Sequence, residues 1–168
     1  MYESPKSYLS MNITLVTCAA NGLGKAYAIE LAKSGDHTLL IDLPLTRLQS
    51  LCNEIENEFG TQSVSYEIDL TQINQIIEVC QEIKKQNEVS ILINNAGIVG
   101  TQWFDEVDSD YLNTMMQLNI KAQNLLTKLL VPNLQKQIKA FVLKVSSMAA
   151  FSPMPNKTIY PASKSYLL

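Results

Sequence analysis

Five short apolar runs, separated by stretches of helical period, predict an α/β fold built on a doubly wound parallel sheet. Two observations support this. The runs are apolar on both faces, as strands covered by helices on both sides must be, and a pair of glycines falls in the turn after the first run.

The elements follow in order. NITLVT (12–17) is a strand, and a helix starts near Leu23. HTLLID (37–42) is the second strand, LTRLQSLCNEIENEF (45–59) the second helix and SVSYEID (63–69) the third strand. A helix near 72–86 precedes VSILIN (89–94). A long helical region near 109–137, interrupted around Pro132, leads to AFVLKVS (140–146), and a last helix starts near Tyr160. With 168 residues and 46% hydrophobic content, the chain is expected to form one cored domain over 1–168.

Composition excludes several classes. The net charge is −3 and no basic run occurs, so neither nucleic acid nor an anionic membrane surface is an expected partner. Three dispersed cysteines, Cys18, Cys52 and Cys80, read as free thiols of a reducing compartment. With the single His37 they form no zinc ligand pattern, and no metal is expected. MYESPKSYLSMN lacks a targeting core and no apolar run reaches membrane-spanning length, so the expected location is cytoplasmic. His37 precedes the second strand, far from Ser147 in the inferred topology, so a Ser-His-acid hydrolase is not supported.

The glycine turn reads TCAANGLGKAYAIELAKSG. Gly22 and Gly24 allow close backbone approach, and the helix start behind them directs N–H groups outward, a dinucleotide phosphate site. Glycines at this place also end strands and pack helices. Asp42 ends the second strand, eighteen positions after Gly24, where a carboxylate accepts from a ribose 2′-hydroxyl and repels a 2′-phosphate. NAD is therefore expected over NADP, with no basic side chain at Asn21 to hold the extra phosphate. A turn aspartate ahead of Pro44 is the plainer alternative.

Taken together, T-C-A-A-N-G-L-G at 17–24, N-N-A-G at 94–97, Asn119, Ser147 and Y-P-A-S-K at 160–164 resemble the short-chain dehydrogenase/reductase family, in its ordinary short-chain form. The resemblance covers the whole chain and implies a Rossmann-type NAD(P)-binding domain with strand order 3-2-1-4-5. It implies a cofactor site of Thr17, Asn21, Gly22, Leu23, Gly24, Asp42, Asp69, Leu70, Asn94, Ala96 and Gly97, joined by Tyr160 and Lys164. It implies catalytic residues Asn119, Ser147, Tyr160 and Lys164, a small alcohol or ketone substrate, and a homo-oligomer for the full fold. Asn94 would hold mid-sheet beside the cofactor, and Asn119 would position a water in a proton relay to Lys164. Asp69 could equally cap the next helix, NNAG could be a strand-ending turn, and Asn119 a buried helix asparagine.

The chemistry suits those residue types. Moving a hydride to or from a carbinol carbon requires a proton at the substrate oxygen. A free phenol ionises near pH 10, about 4 kcal/mol from neutral service, and a nearby cation supplies part of that difference. Tyr160 and Lys164 lie four apart, on one face of a helix that Pro161 helps to start. Ser147 would orient the substrate oxygen. Trp103 and Phe104 either line a substrate pocket or pack.

Two departures stand out. Cys18 occupies the usual place of the first motif glycine, and its β-carbon is expected to crowd the turn unless its φ is negative. The chain also stops four residues after Lys164, so the fifth strand is expected to be an exposed apolar edge and the fold incomplete at its C-terminus. The alternative to an active oxidoreductase is therefore a dinucleotide-binding fragment without catalysis.

Overall fold

The computed structural model describes residues 12–100, 103–152, 154–155, 157 and 159–168. The N-terminal stretch read above as lacking a targeting core lies, apart from Asn12, outside the described residues. Five strands form one parallel sheet: β1 (Ile13–Thr17), β2 (His37–Asp42), β3 (Ser63–Glu67), β4 (Ile91–Asn94) and β5 (Phe141–Lys144). Their order is β3-β2-β1-β4-β5, as expected. The order reverses between β1 and β4, and the crevice at the carboxyl ends of these strands is where such sheets bind ligands.

Strand alternation divides the core. Leu15, Leu39, Ile41 and Leu92 face one side, against α3 (Ile73–Gln86) through Ile76, Val79, Cys80 and Ile83, and α5 (Gln123–Leu134) through Leu126, Leu130 and Leu134. Val16, Leu40 and Ile93 face the other, against α1 (Gly22–Lys33) through Ala28 and Ala32, and α2 (Leu48–Phe59) through Leu48, Leu51, Cys52 and Ile55. The small residues of α1 let that helix lie close under the glycine turn. Cys52 and Cys80 are buried free thiols, as expected. His37 accepts the Gln62 N–H through Nδ1 at 2.8 Å, a structural task.

Several boundaries differ from expectation. The second helix starts at Leu48 because Leu45 and Arg47 have φ of 69° and 61°, incompatible with a right-handed helix. The third strand ends at Glu67, since the Asp69 N–H turns to Gln75 Oε1 (2.7 Å) instead of a neighbouring strand. The long helical region is broken earlier than Pro132. It comprises α4 (Ser109–Met116), a π-turn (Gln117–Ala122) and α5, with Pro132 inside the last turn of α5. Its exposed ring removes a single hydrogen bond close to the helix end, where little remains to disrupt.

At the far edge, Phe141, Val142 and Leu143 of β5 are 61%, 43% and 42% exposed, the apolar edge anticipated from sequence. A 3₁₀ turn (Met148–Ala150) follows, then α6 (Ile159–Ser165), shorter than a run to 168. Trp103 and Phe104 are both more than half exposed, so neither packs in the core.

Candidate active site

The turn after β1 is tight and left-handed. Cys18 has φ of 49° and Gly22 of 54°. The condition under which Cys18 would not crowd the turn, a negative φ, is therefore not met, and its side chain sits in backbone geometry that costs about 1–2 kcal/mol for a residue with a β-carbon. Gly24 has no room for one: it would overlap the Cys18 carbonyl oxygen and stand 2.8 Å from Asn95 Nδ2. Asn21 precedes α1 in extended conformation without capping it through its side chain, and Leu23 is 62% exposed. The first turn of α1 thus opens outward.

Asp42 braces this turn. One carboxylate oxygen accepts the Ala20 N–H and the other the Leu43 N–H, both at 2.8 Å. Asp69 accepts from the Thr71 N–H and hydroxyl at 2.8 Å each, organising the turn before α3, whose N-cap is Gln72. Its alternative reading as a helix cap is thereby corrected to a turn brace. Asp42, Asp69, Leu70, Gly97 and Cys18, with Ile98, line one cleft of about 380 Å³.

Thr17 joins the glycine turn to the segment after β4. Its Oγ1 accepts the N–H groups of Asn95 and Ala96 at 2.9 Å each, while Asn95 Nδ2 donates to the Thr17 and Cys18 carbonyls. Asn94 Nδ2 donates to Thr127 Oγ1 (3.1 Å), and Gln123 Nε2 to the Ala96 carbonyl (3.0 Å). Thr17, Asn94 and Ala96, expected among the cofactor-lining residues, retain 0%, 0% and 1% exposure. They shape the cleft from beneath, because the backbone bonds of a buried strand end must be met by protein groups.

Asn119 and Lys164 approach one another at Gly97. Asn119 lies in the π-turn, fully buried. Its Oδ1 accepts the Ile98 N–H (2.9 Å), and its Nδ2 donates to the Ile98 carbonyl (3.0 Å) and Ser163 Oγ (3.1 Å). Both amide hydrogens are spent on protein, so this side chain locks geometry. π-turns of this kind release backbone groups at functional sites. A β-carbon on Gly97 would lie 3.1 Å from Asn119 Oδ1 and 3.2 Å from Lys164 Nζ, so the two polar groups meet across this glycine.

Lys164 is 5% exposed and donates to the Val145 carbonyl at 2.9 Å, its ammonium 5.9 Å from the centre of the Tyr160 ring. Burial pushes its pKa down. The Cys18 thiol is itself pushed up to about 11, by burial first and the Asp42 carboxylate second, so it is neutral. Ser146 Oγ donates to the Lys164 carbonyl (2.8 Å) and Ser165 Oγ to that of Ala150 (2.7 Å), seating α6 on the segment after β5. Ser147 lies in that segment, accepting the Ala149 N–H at 3.2 Å.

Sequence reasoning missed three residues that hold this arrangement: Asn95, Gln123 and Ser163. Asn95 and Ser163 stand inside the N-N-A-G and Y-P-A-S-K motifs, where neither was singled out. Gln123 carried a signal, a polar side chain one turn after Asn119 on a helix face that is otherwise apolar.

A parallel sheet with a glycine turn at its switch point defines a Rossmann-type dinucleotide fold, here with a lysine buried beside a tyrosine. The chain belongs to the short-chain dehydrogenase family, whose model matches residues 12–167. It is 31% identical over 155 residues to hydroxysteroid dehydrogenase-like protein 1 of Gallus gallus, covering 91% of this chain and 47% of that protein. It is 32% identical over 157 residues to very-long-chain 3-oxoacyl-CoA reductase of Anas platyrhynchos, covering 91% and 50%. The chain thus spans about half the length of these curated relatives. A short-chain dehydrogenase from Sphingobium yanoikuyae, solved in complex with NADPH, superposes with a TM-score of 0.88 at 25% identity, covering 94% of this chain and 61% of that one.

Proposed function

We propose that this chain carries the cofactor and proton-transfer half of an oxidoreductase that moves a hydride between a nicotinamide dinucleotide and a secondary alcohol or ketone. The observation that carries this reading is Lys164, an ammonium held at 5% exposure beside the Tyr160 ring, with the Val145 carbonyl as its single hydrogen-bond partner among the described residues. Burying an uncompensated cation costs stability. Such a cost is retained where the charge has work to do.

The residues fit a dinucleotide. The first turn of α1 offers its N–H groups outward, Gly24 leaves no room for a side chain against the turn, and the cleft of about 380 Å³ joins that turn to Gly97. When bound, the nicotinamide supplies or takes the hydride. The chain's own groups do the rest: Tyr160 holds or accepts the proton of the substrate oxygen, Lys164 favours the phenolate and retains hydrogens for a ribose, and Ser147 orients that oxygen. Asn119 holds the π-turn to Ile98 and Ser163.

Asp42 favours NAD over NADP. Its carboxylate, already fixed by two N–H groups, lines the cleft where a 2′-phosphate would bring a second negative charge. The Sphingobium enzyme was solved with NADPH, so this preference is the finer part of the reading. The substrate is proposed to be a hydroxysteroid or 3-oxoacyl chain, on the relatives' names.

Assaying NADH consumption with such ketones tests the reaction. Tyr160→Phe removes only the phenolic oxygen and is expected to lower turnover at least about a hundredfold, the general acid–base share, while leaving the dissociation constant for NADH within about twofold. Undiminished turnover in Tyr160→Phe would refute the assigned chemistry. NADH binding without turnover in the unaltered chain would favour the binding-only alternative.

A further inference from the structure

We propose that Ser163 is a positioning residue that sets the register between the π-turn and the Tyr160–Lys164 helix; this rests on the function proposed above. Ser163 lies between the two residues of that pair on α6 and is 1% exposed. Its hydroxyl is used twice. It accepts from Asn119 Nδ2 at 3.1 Å and donates to the Tyr160 carbonyl at 2.8 Å.

The orientation of this bridge is determined by its surroundings. Asn119 Oδ1 must accept from the Ile98 N–H, which leaves Nδ2 for the Ile98 carbonyl and Ser163. An N–H cannot accept, so the serine oxygen is the acceptor and its own hydrogen is directed to the Tyr160 carbonyl. Among the described residues this is the hydrogen bond that ties a side chain of α6 to the π-turn. Through Asn119 the bridge continues to Ile98, and thus to the loop whose Gly97 separates Asn119 from Lys164.

Alanine at 163 would leave a buried Asn119 N–H without its acceptor and free the first turn of α6 to shift. The chemistry depends on a phenol and an ammonium held to within fractions of an ångström. Threonine retains the hydroxyl and reaches the carbonyl three residues back in a helix, so it should restore the bridge. Ser63 provides a matched control: it is also buried, paired at 2.8 Å with Thr38, and lies at the opposite edge of the sheet.

The test uses the full chain and two readouts. The first is the acetylation rate of Lys164 by acetic anhydride in the ligand-free protein, followed by peptide mass spectrometry. The second is the dissociation constant for NADH. Ser163→Ala is expected to raise the first and weaken the second by about fivefold each, the equivalent of one hydrogen bond. Ser163→Thr should return both to within about twofold, and Ser63→Ala should move neither, even at an equal drop in melting temperature. Lys164 reactivity unchanged in Ser163→Ala, or raised equally by Ser63→Ala, overturns the proposal. If Lys164 responds as expected but the unaltered chain binds no NADH, the bridge stands and the cofactor reading falls.

Discussion

Cys18 concentrates the tension between this sequence and its task. The residue holds a φ of 49° in the glycine turn, within electrostatic reach of the Asp42 carboxylate and of Lys164. Replacing it by glycine removes about 1–2 kcal/mol of left-handed strain, but the freer unfolded chain takes back about 0.5–1 kcal/mol. Cys18→Gly should therefore shift the melting temperature by only a few degrees. Its larger effect should be on binding: with the β-carbon gone, the dissociation constant for NADH is expected to fall. Titration calorimetry checks this, and an unchanged constant would show that the cysteine does not crowd the ligand.

Among the elements, the glycine turn and the π-turn position the site, and they were not equally legible. Gly22, Gly24 and Asp42 could be read because each carries its reason in its chemistry: positive φ, close approach and a charge at a strand end. Gly24→Ala is expected to cost about 1–3 kcal/mol, as overpacking does, because its new methyl would meet backbone that cannot rotate away; a melt near the parent value would contradict that packing. The π-turn was not legible from periodicity. Pro132 looked like the breaker, yet it sits near a helix end where its missing N–H matters little, while the real interruption is imposed by Asn119 bonding to Ile98 and Ser163 across space. Tertiary hydrogen bonds of that kind leave no mark on the pattern of apolar residues. For the same reason the bonds made by Asn95 and Ser163 did not show in their motifs, and Gln123 showed only as a polar side chain one turn after Asn119, whereas the strand order followed from the alternation of apolar runs and the family resemblance.

At the scale of the whole molecule, alkaline titration should expose the buried thiols. Cys18 and Cys80 are each pushed up from 9.0 to about 11, and Cys52 also upward, burial being the leading cause in all three. In the window from 9.0 to about 11 the folded chain holds protons that the unfolded chain releases. Stability is therefore complete below that window and falls as pH rises through it. Lys164, shifted down by burial, acts in the opposite sense. Melting temperatures measured across this range should decline, and Cys80→Ala, although less stable throughout, should show a shallower decline. A flat profile would mean that the thiols are more hydrated than their burial indicates.

The whole chain also presents the apolar edge of β5, where Phe141, Val142 and Leu143 remain uncovered. Whether this sheet, spanning about half the length of its curated relatives, carries a working cofactor site is the central question. A thermal melt of the chain titrated with NADH and with NADPH answers it most directly. A ligand at a hundred times its dissociation constant adds about 2.7 kcal/mol to the folded state, which for a chain of this size raises the melting temperature by about 5–10 °C. That rise is expected with NADH and a smaller one with NADPH at equal concentration, because of Asp42. A cooperative melt that neither dinucleotide moves would contradict it.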